Sequence, residues 1–412
     1  MPHDREHREG HETAVINIEE TMARWPELDS FIEDAVSKGV PQLAAAVIGP
    51  DRLLYRGSRQ RGGDGSQTRP SLAPAVYWLA SMSKLVTAIA VLQLWERDLL
   101  QWDAPVATWL PELASPSVLE GFRGQNPVLR PAASPITLRQ LMTHQSGLAY
   151  PIWQSDIARY ISQRGIPMPG SGKIESLALP LVFDPGTSWM YGIGLDWAGQ
   201  IVERVSGKTL EAYFQEEIFQ PLGMRDTSFL VNASMRERLV DLMSMDDAGA
   251  MGLIERSFTA PETFMGGSGL YGTEEDFSKL LMALLRSGEL AGQRILRAET
   301  VALLLQPQVR GTHIGVLQTA MPRVAADVDL HAGAESGWAL GGLVNVQAGA
   351  SGRSPGSVGW AGAANTFFWI DRPRGVAVQV MMQMLPFANP LALKTLAGVE
   401  ELICRMLDDR PV

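Results

Sequence analysis

The spacing of hydrophobic residues changes along the chain, and each change predicts a different element. Over residues 21–38 apolar side chains recur every three or four positions and stop before Gly39, which predicts an amphipathic helix. The stretches QLAAAVIG and RLLYRG then flank the turn-forming pair Pro50 and Asp51, and they predict a β-hairpin. The next apolar stretch, YWLASMSKLVTAIAVLQLWE at residues 77–96, predicts a helix buried in the core.

The period changes again in the second half of the chain. Helical spacing dominates from about residue 81 to residue 305, and Pro- and Gly-rich loops are expected around residues 111–136 and 163–186. After residue 335 the period becomes two in WALGGLVNVQ, GWAGAANTFFWID and VAVQVMMQM, which predicts antiparallel strands. The closing stretch, PLALKTLAGVEELICRML, predicts an amphipathic helix.

Strands at both ends of the chain, with helices between them, predict an α+β fold. We expect one antiparallel sheet built from both termini and flanked by helices, with a mainly helical subdomain inserted. The predicted boundaries are a mobile tail at residues 1–20, a sheet domain at residues 21–90 plus 306–412, and a helical domain at residues 91–305. A catalytic site is expected between the two domains.

Composition narrows the classes of protein that fit this pattern. A net charge of -10 and a pI near 5.2 disfavour a nucleic acid or an anionic membrane as partner, because both require a basic face. Cys404 is the single cysteine, so neither an intramolecular disulfide nor a four-cysteine zinc site can form. The start of the sequence lacks the pattern of an export signal, and the apolar run at residues 85–95 is shorter than the roughly 20 residues of a membrane span. We therefore expect a cytoplasmic protein of unknown oligomeric state.

Ser81 and Lys84 are unusual residues for the start of such an apolar helix. Positions i and i+3 share a helix face, so the hydroxyl and the amine can come within reach of each other. A serine hydroxyl needs a base to become a nucleophile, and a lysine becomes one when burial favours its neutral form. The same spacing also arises by chance, with a serine capping the helix and the lysine extending to water, so the pair alone does not decide between the two interpretations.

Five further blocks of sequence make the chain resemble a known superfamily. From about residue 25 to the C-terminus it is similar to the serine β-lactamases and penicillin-binding proteins, which share the Ser-x-x-Lys helix start. Within that superfamily it most resembles the family VIII carboxylesterases and the fungal acyltransferases of statin side chains. The blocks are ITLRQLMTHQSGL (136–148), WMYGIGLDWAGQIVERVSGKTL (189–210), FQPLGMRDTSF (219–229), GGSGLYGTEEDF (266–277) and GWAGAANTFFWID (359–371).

The resemblance implies a role for several residues. Ser81 matches the nucleophile and Lys84 the residue that activates it, while Tyr191 matches a catalytic tyrosine that passes a proton to the leaving alcohol. The backbone N–H groups of Ser81 and Ala363 would form an oxyanion hole. By residue type alone, Tyr191 would be interpreted as a core aromatic residue.

Two departures from the β-lactamase pattern concern the substrate. The Lys-Thr-Gly of β-lactamases is replaced by Trp360, Ala361 and Gly362, which we expect to border the substrate. The asparagine found two positions after the catalytic tyrosine is replaced by Ile193. Both losses favour uncharged esters over penicillin-like substrates, although weak β-lactam cleavage is compatible with them.

Aromatic residues within or beside the matched blocks are candidates for an apolar substrate pocket. Such pockets are largely lined by apolar and aromatic side chains. We expect Tyr150, Trp153 and Trp338 to line an acyl or alcohol pocket, and core packing is the alternative for each of them.

Other possible nucleophiles and bases are disfavoured. Ser354 lies in a G-x-S-x-G sequence, GRSPG, but a nucleophile elbow requires a strand before it and a helix after it, and here a Gly- and Ser-rich loop leads into a strand. His144 could act as a general base, but a hydrogen-bonded structural role is favoured. The remaining histidines are expected in a loop-like region or in the tail: His313, His331, His3, His7 and His11.

The sequence therefore predicts a serine hydrolase, a carboxylesterase that cleaves uncharged esters through an acyl-enzyme on Ser81 without a metal or organic cofactor. Three alternatives stay open. An acyltransferase would pass the acyl group to an alcohol, a β-lactamase or D-amino-acid peptidase would cleave an amide, and a catalytically silent protein would only bind its ligand.

Overall fold

The computed structural model describes residues 25–61, 68–69, 74–246, 248–311, 313–330 and 335–409. The predicted tail at residues 1–20 and His331 lie outside these ranges. The helices of the described part are numbered here in chain order: α1 Pro26–Ser37, α2 Ser83–Glu96, α3 Leu138–Met142, α4 Ser155–Arg164, α5 Gly194–Ser206, α6 Leu210–Phe214, α7 Gln220–Leu222, α8 Ala233–Glu237, α9 Glu274–Leu285, α10 Ala298–Leu305 and α11 Pro390–Asp409.

The strands of the described part are mostly short, and the longer ones come from the two ends of the chain. In order they are β1 Gln42–Ile48, β2 Leu53–Arg61, β3 Thr68–Arg69, β4 Val76–Trp78, β5 Ser117–Arg123, β6 Asn126–Pro131, β7 Met243–Met245, β8 Met251–Leu253, β9 Tyr271–Thr273, β10 Glu289–Leu290, β11 Gln293–Arg294, β12 Pro307–Gly311, β13 Val316–Leu317, β14 Val328–Asp329, β15 Ser336–Ala339, β16 Gly342–Asn345, β17 Val358–Gly362, β18 Thr366–Asp371, β19 Val376–Met381 and β20 Met384–Leu385.

The main sheet joins the two ends of the chain. Its nine strands follow the order β12-β15-β16-β17-β18-β19-β1-β2-β3, and every neighbouring pair is antiparallel. Strand β19 pairs with β1, with Val378 opposite Val47, so residues more than 300 positions apart close the sheet. This confirms the α+β fold predicted from the alternating stretches, with an antiparallel sheet built from both termini and a mainly helical insertion.

The two faces of the sheet carry different helices because successive residues of a strand point in opposite directions. On one face the ring of Phe368 in β18 packs 5.5 Å from the ring of Phe277 in α9. On the other face its neighbour Trp369 lies under the guanidinium of Arg353, which pairs with Glu400 of α11. The terminal helices α1 and α11 pack against each other on this second face.

Helix α2 crosses the interior of the molecule. All of residues 85–94 are buried, as the continuous apolar run predicted. The α-helix begins at Ser83, however, so Ser81 lies on a preceding 3-10 turn, Ala80–Met82, and not on the first α-helical turn. No helix in the described ranges is long and apolar enough to cross a membrane.

One predicted loop proves to be a β-hairpin. Residues 111–136 were expected to be irregular because they are rich in proline, but β5 and β6 pair antiparallel there. Val118 and Leu119 of β5 are buried, and Leu119 N–H donates to Leu181 O at 2.8 Å. The two prolines of β6, Pro127 and Pro131, are tolerated because β6 has a partner on one side only.

Candidate active site

Ser81 and Lys84 lie at the junction between the 3-10 turn and helix α2. Lys84 Nζ donates a hydrogen bond of 3.1 Å to Ser81 Oγ. Ser81 is partly exposed, whereas Lys84 is only 4% exposed. Ala80, the residue before Ser81, has a φ angle of 47°, a left-handed conformation that is uncommon for alanine. Backbone strain of this kind is concentrated at functional sites in proteins.

The ammonium of Lys84 has two further acceptors. It donates to the backbone carbonyl of Gly267 at 2.7 Å and to the hydroxyl of Tyr150 at 3.1 Å. Two aromatic rings also flank it, since Nζ lies 4.9 Å from the centroid of Tyr150 and 4.7 Å from that of Tyr191. Lys84 Nζ is therefore buried within hydrogen-bond distance of three oxygens. The charged form can donate to all three, and the neutral amine can donate to Gly267 and Tyr150 while its lone pair faces the hydroxyl of Ser81.

A buried carboxylate that the sequence analysis did not select, Asp196, supports this arrangement. Asp196 is 2% exposed; its Oδ2 accepts from Tyr150 OH at 2.6 Å and its Oδ1 from Gly267 N at 2.8 Å. Burial raises the pKa of Asp196, and the positive charge of Lys84 opposes that rise. Burial, Asp196 and Tyr191 together hold the pKa of Tyr150 well above its usual value, so Tyr150 keeps its proton at neutral pH.

Tyr191 and Trp360 are joined by a direct hydrogen bond. Trp360 Nε1 donates to Tyr191 OH at 2.9 Å, and the two ring centroids are 4.9 Å apart. The residue that stands in place of a lysine therefore contacts the tyrosine through a neutral donor. Because this bond uses a lone pair of the phenol, the phenolic proton remains available for a substrate.

The end of strand β17 lies against the turn that carries Ser81. A Cβ added at Gly362 would lie 2.3 Å from Leu79 O and 3.3 Å from Ala80 Cβ, so only glycine allows this approach. Ser81 and Ala363 are the next residues along the two segments. The approach is compatible with the predicted oxyanion hole formed by their backbone N–H groups, which stays a prediction.

The predicted pocket residues do not all lie together. The ring of Trp338 is 4.6 Å from that of Trp360 and 6.0 Å from that of Tyr191, so Trp338 joins the aromatic cluster of the site. Tyr150 contacts the same cluster, with its ring 5.5 Å from that of Tyr191. Trp153 instead packs edge-on against Phe387 at 6.3 Å.

His144 is a neutral structural residue in this arrangement. Its Nδ1 accepts a hydrogen bond of 3.3 Å from Gly192 N, so the single proton of the neutral ring is assigned to Nε2. Burial, and next the charge of Lys84, lower the pKa of His144 well below its usual value. Neither nitrogen is then free to act as a base toward Ser81, in agreement with the structural role favoured from the sequence.

The other candidate groups lie elsewhere. Ser354 lies on the loop that leads into β17, and its backbone N–H donates to Asp371 Oδ2 at 3.0 Å. This loop lacks the strand-turn-helix context of a nucleophile elbow. His313 is exposed on a turn, and His3, His7 and His11 lie outside the described residues. Within the described ranges, no cluster of His, Cys, Asp and Glu could hold a metal ion.

Asp196 and Gly267 were missed, although both left a signal in the sequence. Asp196 is a lone acid between Leu195 and Trp197 in a segment that is otherwise apolar, where a charge has no solvent-exposed face to occupy. Gly267 belongs to the pair in GGSGL. A Cβ there would lie 2.5 Å from Asp196 Oδ2, so a side chain at this position would displace the carboxylate.

Comparison with known proteins identifies a family and several relatives of this chain. Residues 18–398 match the family model described as Beta-lactamase. The chain is 35% identical to a lovastatin esterase of Penicillium rubens, over 83% of this chain and 86% of the relative. It is 34% identical to a monacolin J acid methylbutanoyltransferase of Aspergillus terreus, over 76% of this chain and 78% of the relative. Simvastatin synthase of Aspergillus terreus, in a mutant form, superimposes with a TM-score of 0.78 at 29% identity, covering 93% of this chain and 97% of that one.

Proposed function

Because the chain belongs to the β-lactamase family and its relatives include a lovastatin esterase and acyltransferases, we propose that it cleaves uncharged carboxylic esters through an acyl-enzyme on Ser81. The observation that carries this proposal is the 3.1 Å hydrogen bond between Lys84 Nζ and Ser81 Oγ inside a buried aromatic site. A lysine in that position can take the serine proton as the hydroxyl attacks.

The proposed reaction has two halves. Ser81 Oγ bonds to the ester carbonyl carbon, its proton passes to the neutral amine of Lys84, and the carbonyl π electrons move to the oxygen. Backbone N–H groups of Ser81 and Ala363 stabilise that oxyanion. The tetrahedral intermediate collapses, Tyr191 gives its phenolic proton to the departing alcohol, and the phenolate takes a proton back from Lys84, which becomes neutral again. Water then attacks the acyl-enzyme by the reverse route and releases the carboxylic acid.

The preference for an uncharged ester rests on two positions. Trp360 brings a neutral indole to the place of a cation, and its N–H is already bonded to Tyr191. Ile193 is completely buried, so no polar group is offered to a substrate amide at that position. A substrate carboxylate or amide would therefore lack its partners here, and these losses argue against a β-lactamase or a D-amino-acid peptidase.

Acyl transfer to an alcohol is the second candidate. The relatives include acyltransferases at 34% identity, and the aromatic walls formed by Tyr150, Trp338 and Trp360 suit an apolar acceptor. The two activities share every step up to the acyl-enzyme and differ only in the acceptor. Product analysis with an added alcohol separates them: an ester product identifies a transferase, and release of acid alone identifies a hydrolase.

The deciding experiment is p-nitrophenyl butyrate hydrolysis by wild type, Ser81→Ala and Ser354→Ala, with folding confirmed by circular dichroism. We expect Ser81→Ala to fall to background and Ser354→Ala to retain the wild-type rate. Covalent labelling by a fluorophosphonate, located by mass spectrometry, should identify Ser81. Activity retained in Ser81→Ala would contradict the proposal, nitrocefin turnover equal to ester turnover would favour a β-lactamase, and no labelling or turnover would favour a silent binding protein.

A further inference from the structure

Asp196 is a buried carboxylate that the proposed steps do not use. It lies in the first turn of α5 with 2% exposure. Both of its oxygens accept hydrogen bonds, from Tyr150 OH at 2.6 Å and from Gly267 N at 2.8 Å. Since both donors are neutral groups, the carboxylate is not neutralised by a direct ion partner. A buried charge held in this way requires an explanation, because burying an ion is costly unless it is compensated.

Tyr150 and Gly267 both link Asp196 to Lys84. A phenol carries one proton, and Tyr150 donates it to Asp196, so its oxygen can only accept from Lys84 at 3.1 Å. Gly267 is oriented by the same carboxylate through its N–H and accepts from Lys84 through its carbonyl at 2.7 Å. Two of the three acceptors of the ammonium are thus oriented by Asp196, and the third is Ser81.

We propose that Asp196, acting through Tyr150 and Gly267, is a positioning residue that directs Lys84 at Ser81 and stabilises the ammonium formed when the serine proton is taken. The inference rests on the proposed function, since it assumes that transfer. In the step concerned, the Ser81 O–H bond breaks, Oγ bonds to the acyl carbon, and the proton forms a new N–H bond on Lys84. Lys84 later returns a proton to Tyr191, which has given its own to the departing alcohol, so Asp196 itself neither gains nor loses a proton.

The separation of the two charges is central to the inference. A carboxylate bonded directly to Lys84 would favour the ammonium strongly, and a lysine that stays charged cannot accept a proton. With the Tyr150 hydroxyl between them, the attraction is weaker but still acts in a low-dielectric interior. The other titratable groups that face Lys84 are the phenol of Tyr191 and the imidazole of His144. Neither supplies a carboxylate charge, so that of Asp196 is the one in this cluster.

The local sequence is adapted to this contact. A Cβ at Gly267 would lie 2.5 Å from Asp196 Oδ2 and 2.7 Å from Tyr150 OH. A Cβ at Gly266 would lie 2.9 Å from Thr87 Oγ1 and from Leu195 O. The glycine pair therefore lets the segment approach α2 and α5 closely enough for the Gly267 peptide to bond to both Lys84 and Asp196.

Asp196→Asn is the sharpest test. The amide lacks the charge and has one acceptor oxygen in place of two; because Tyr150 and Gly267 bond to different oxygens of Asp196, one of these two donors loses its acceptor. We expect the acidic limb of the kcat/KM profile for p-nitrophenyl butyrate to move to lower pH by about 1–3 units, because loss of the negative charge favours the neutral lysine. The plateau should fall on the order of 10- to 100-fold through misplacement of Lys84.

Asp276→Asn is the matched control. Asp276 is 3% exposed, lies in the first turn of α9, and accepts from Asp226 N at 2.7 Å and Thr227 Oγ1 at 3.1 Å. It thus resembles Asp196 in burial and in accepting from a backbone N–H and a hydroxyl, but its charge is paired directly with Lys279 at 3.0 Å and not linked to Lys84. This variant should keep the wild-type pH limb even where it lowers stability.

A second pair of variants tests the linkage through the hydroxyl. Tyr150→Phe should lower the plateau of kcat/KM at least about tenfold. In the double variant, Tyr150→Phe with Asp196→Asn, the loss of kcat/KM should be close to the larger of the two single losses, because the effects of residues that act as a unit are not additive. Tyr55→Phe is the control, since Tyr55 OH likewise donates to a carboxylate, that of Asp29 in α1, at 2.8 Å. It should retain the wild-type rate.

Three outcomes overturn the inference. The first is an unmoved pH limb in Asp196→Asn, and the second is a double variant whose loss of kcat/KM equals the product of the single losses. The third applies if Asp196→Asn does not fold, and it is a wild-type rate in Tyr150→Phe. Fluorophosphonate labelling of Ser81 across the pH range separates these from failure of the proposed function, because it needs no ester. A shifted labelling limb in Asp196→Asn supports the inference even if ester turnover is absent. An unmoved limb with Ser81 labelled rejects the inference alone, and an unlabelled Ser81 in wild type rejects the proposed function together with it.

Discussion

Lys84 and Arg353 are both largely buried basic residues, and they lie on opposite faces of the main sheet. Arg353 pairs directly with the carboxylate of Glu400, and its guanidinium lies 4.3 Å from the centroid of the Trp369 ring. Lys84 donates to three uncharged oxygen atoms, and its nearest carboxylate, Asp196, is reached only through Tyr150 or the Gly267 peptide.

The difference separates a structural cation from a reactive one. Burial lowers the pKa of Arg353 to about 10, so the guanidinium is still protonated at neutral pH and its ion pair is permanent. Lys84 has no such permanent partner, and one of its hydrogen bonds is to a hydroxyl that must lose its proton in the proposed reaction. A buried basic side chain can therefore accept and release a proton when the nearest carboxylate is separated from it by one hydrogen-bonded group.

Replacing Lys84 by arginine should have the largest effect on activity. In Lys84→Arg a guanidinium replaces the amine and does not release its proton near neutral pH, so the base is lost. We expect kcat to fall on the order of 10³- to 10⁴-fold in the p-nitrophenyl butyrate assay.

The reverse exchange, Arg353→Lys, is its control. It should keep the wild-type rate and lose only stability, because stacking on Trp369 is weakened. A lysine variant at 353 that also lost activity would erase the proposed distinction between the two sites.

Breaking the structural pair should be the next largest effect. Arg353→Met leaves Glu400 buried without its cation, and we expect the free energy of unfolding to fall by about 3–5 kcal/mol in urea denaturation. Arg353→Met combined with Glu400→Leu should be far less destabilised, because the uncompensated charge is gone. Equal losses in the single and double variants would show that the ion pair is not what the single change disrupts.

Tyr191→Phe tests whether the Tyr191 hydroxyl donates the proton to the departing alcohol. It removes the hydroxyl that accepts from Trp360 Nε1, and kcat should fall about 100-fold because the leaving alcohol loses its acid. Tyr213→Phe is the matched control, since the buried Tyr213 hydroxyl has no hydrogen-bond partner in the described residues. Unchanged kcat in Tyr191→Phe would remove Tyr191 from the proposed mechanism.

The smallest effect is expected from acid titration of His144. Its folded pKa is below its unfolded value of about 6.5, so the unfolded state binds the proton first as pH falls. Stability is therefore full above pH 6.5 and decreases below it, by at most about 1.4 kcal/mol per pH unit for this one proton. His144→Asn should flatten that slope between pH 7 and 5, and asparagine suits the local φ angle of 59°. The free energy of unfolding at each pH is the measurement.

Much of the fold could be predicted because its elements have clear periods. The alternating stretches became β15–β19, and the continuous apolar run became the fully buried α2. The β5–β6 hairpin could not be predicted, because its prolines signal a loop and its burial against Leu181 depends on a segment about 60 positions away. Proline content describes the local chain, whereas the partner of an edge strand is decided by the whole molecule.

The site was predictable where residue type and spacing carry the chemistry. Ser81 and Lys84 are three positions apart, and that spacing alone allows their 3.1 Å contact. The aromatic candidates were chosen only by residue type and by the resemblance. In the structure Trp338 lies in the aromatic cluster of the site, whereas Trp153 packs against Phe387. Residue type does not specify which neighbour a ring will contact.

The sequence by itself determined the period of each element, the pairing of Ser81 with Lys84 and the neutral residues at positions 193 and 360. Only the tertiary structure decided that the carbonyl of Gly267 contacts Lys84 and that Asp196 is linked to it through Tyr150, because residues 84, 150, 196 and 267 lie on four separate segments. Contacts within one helical turn follow from backbone geometry. Contacts between distant segments depend on packing, and here a glycine pair and a buried carboxylate bring those segments together.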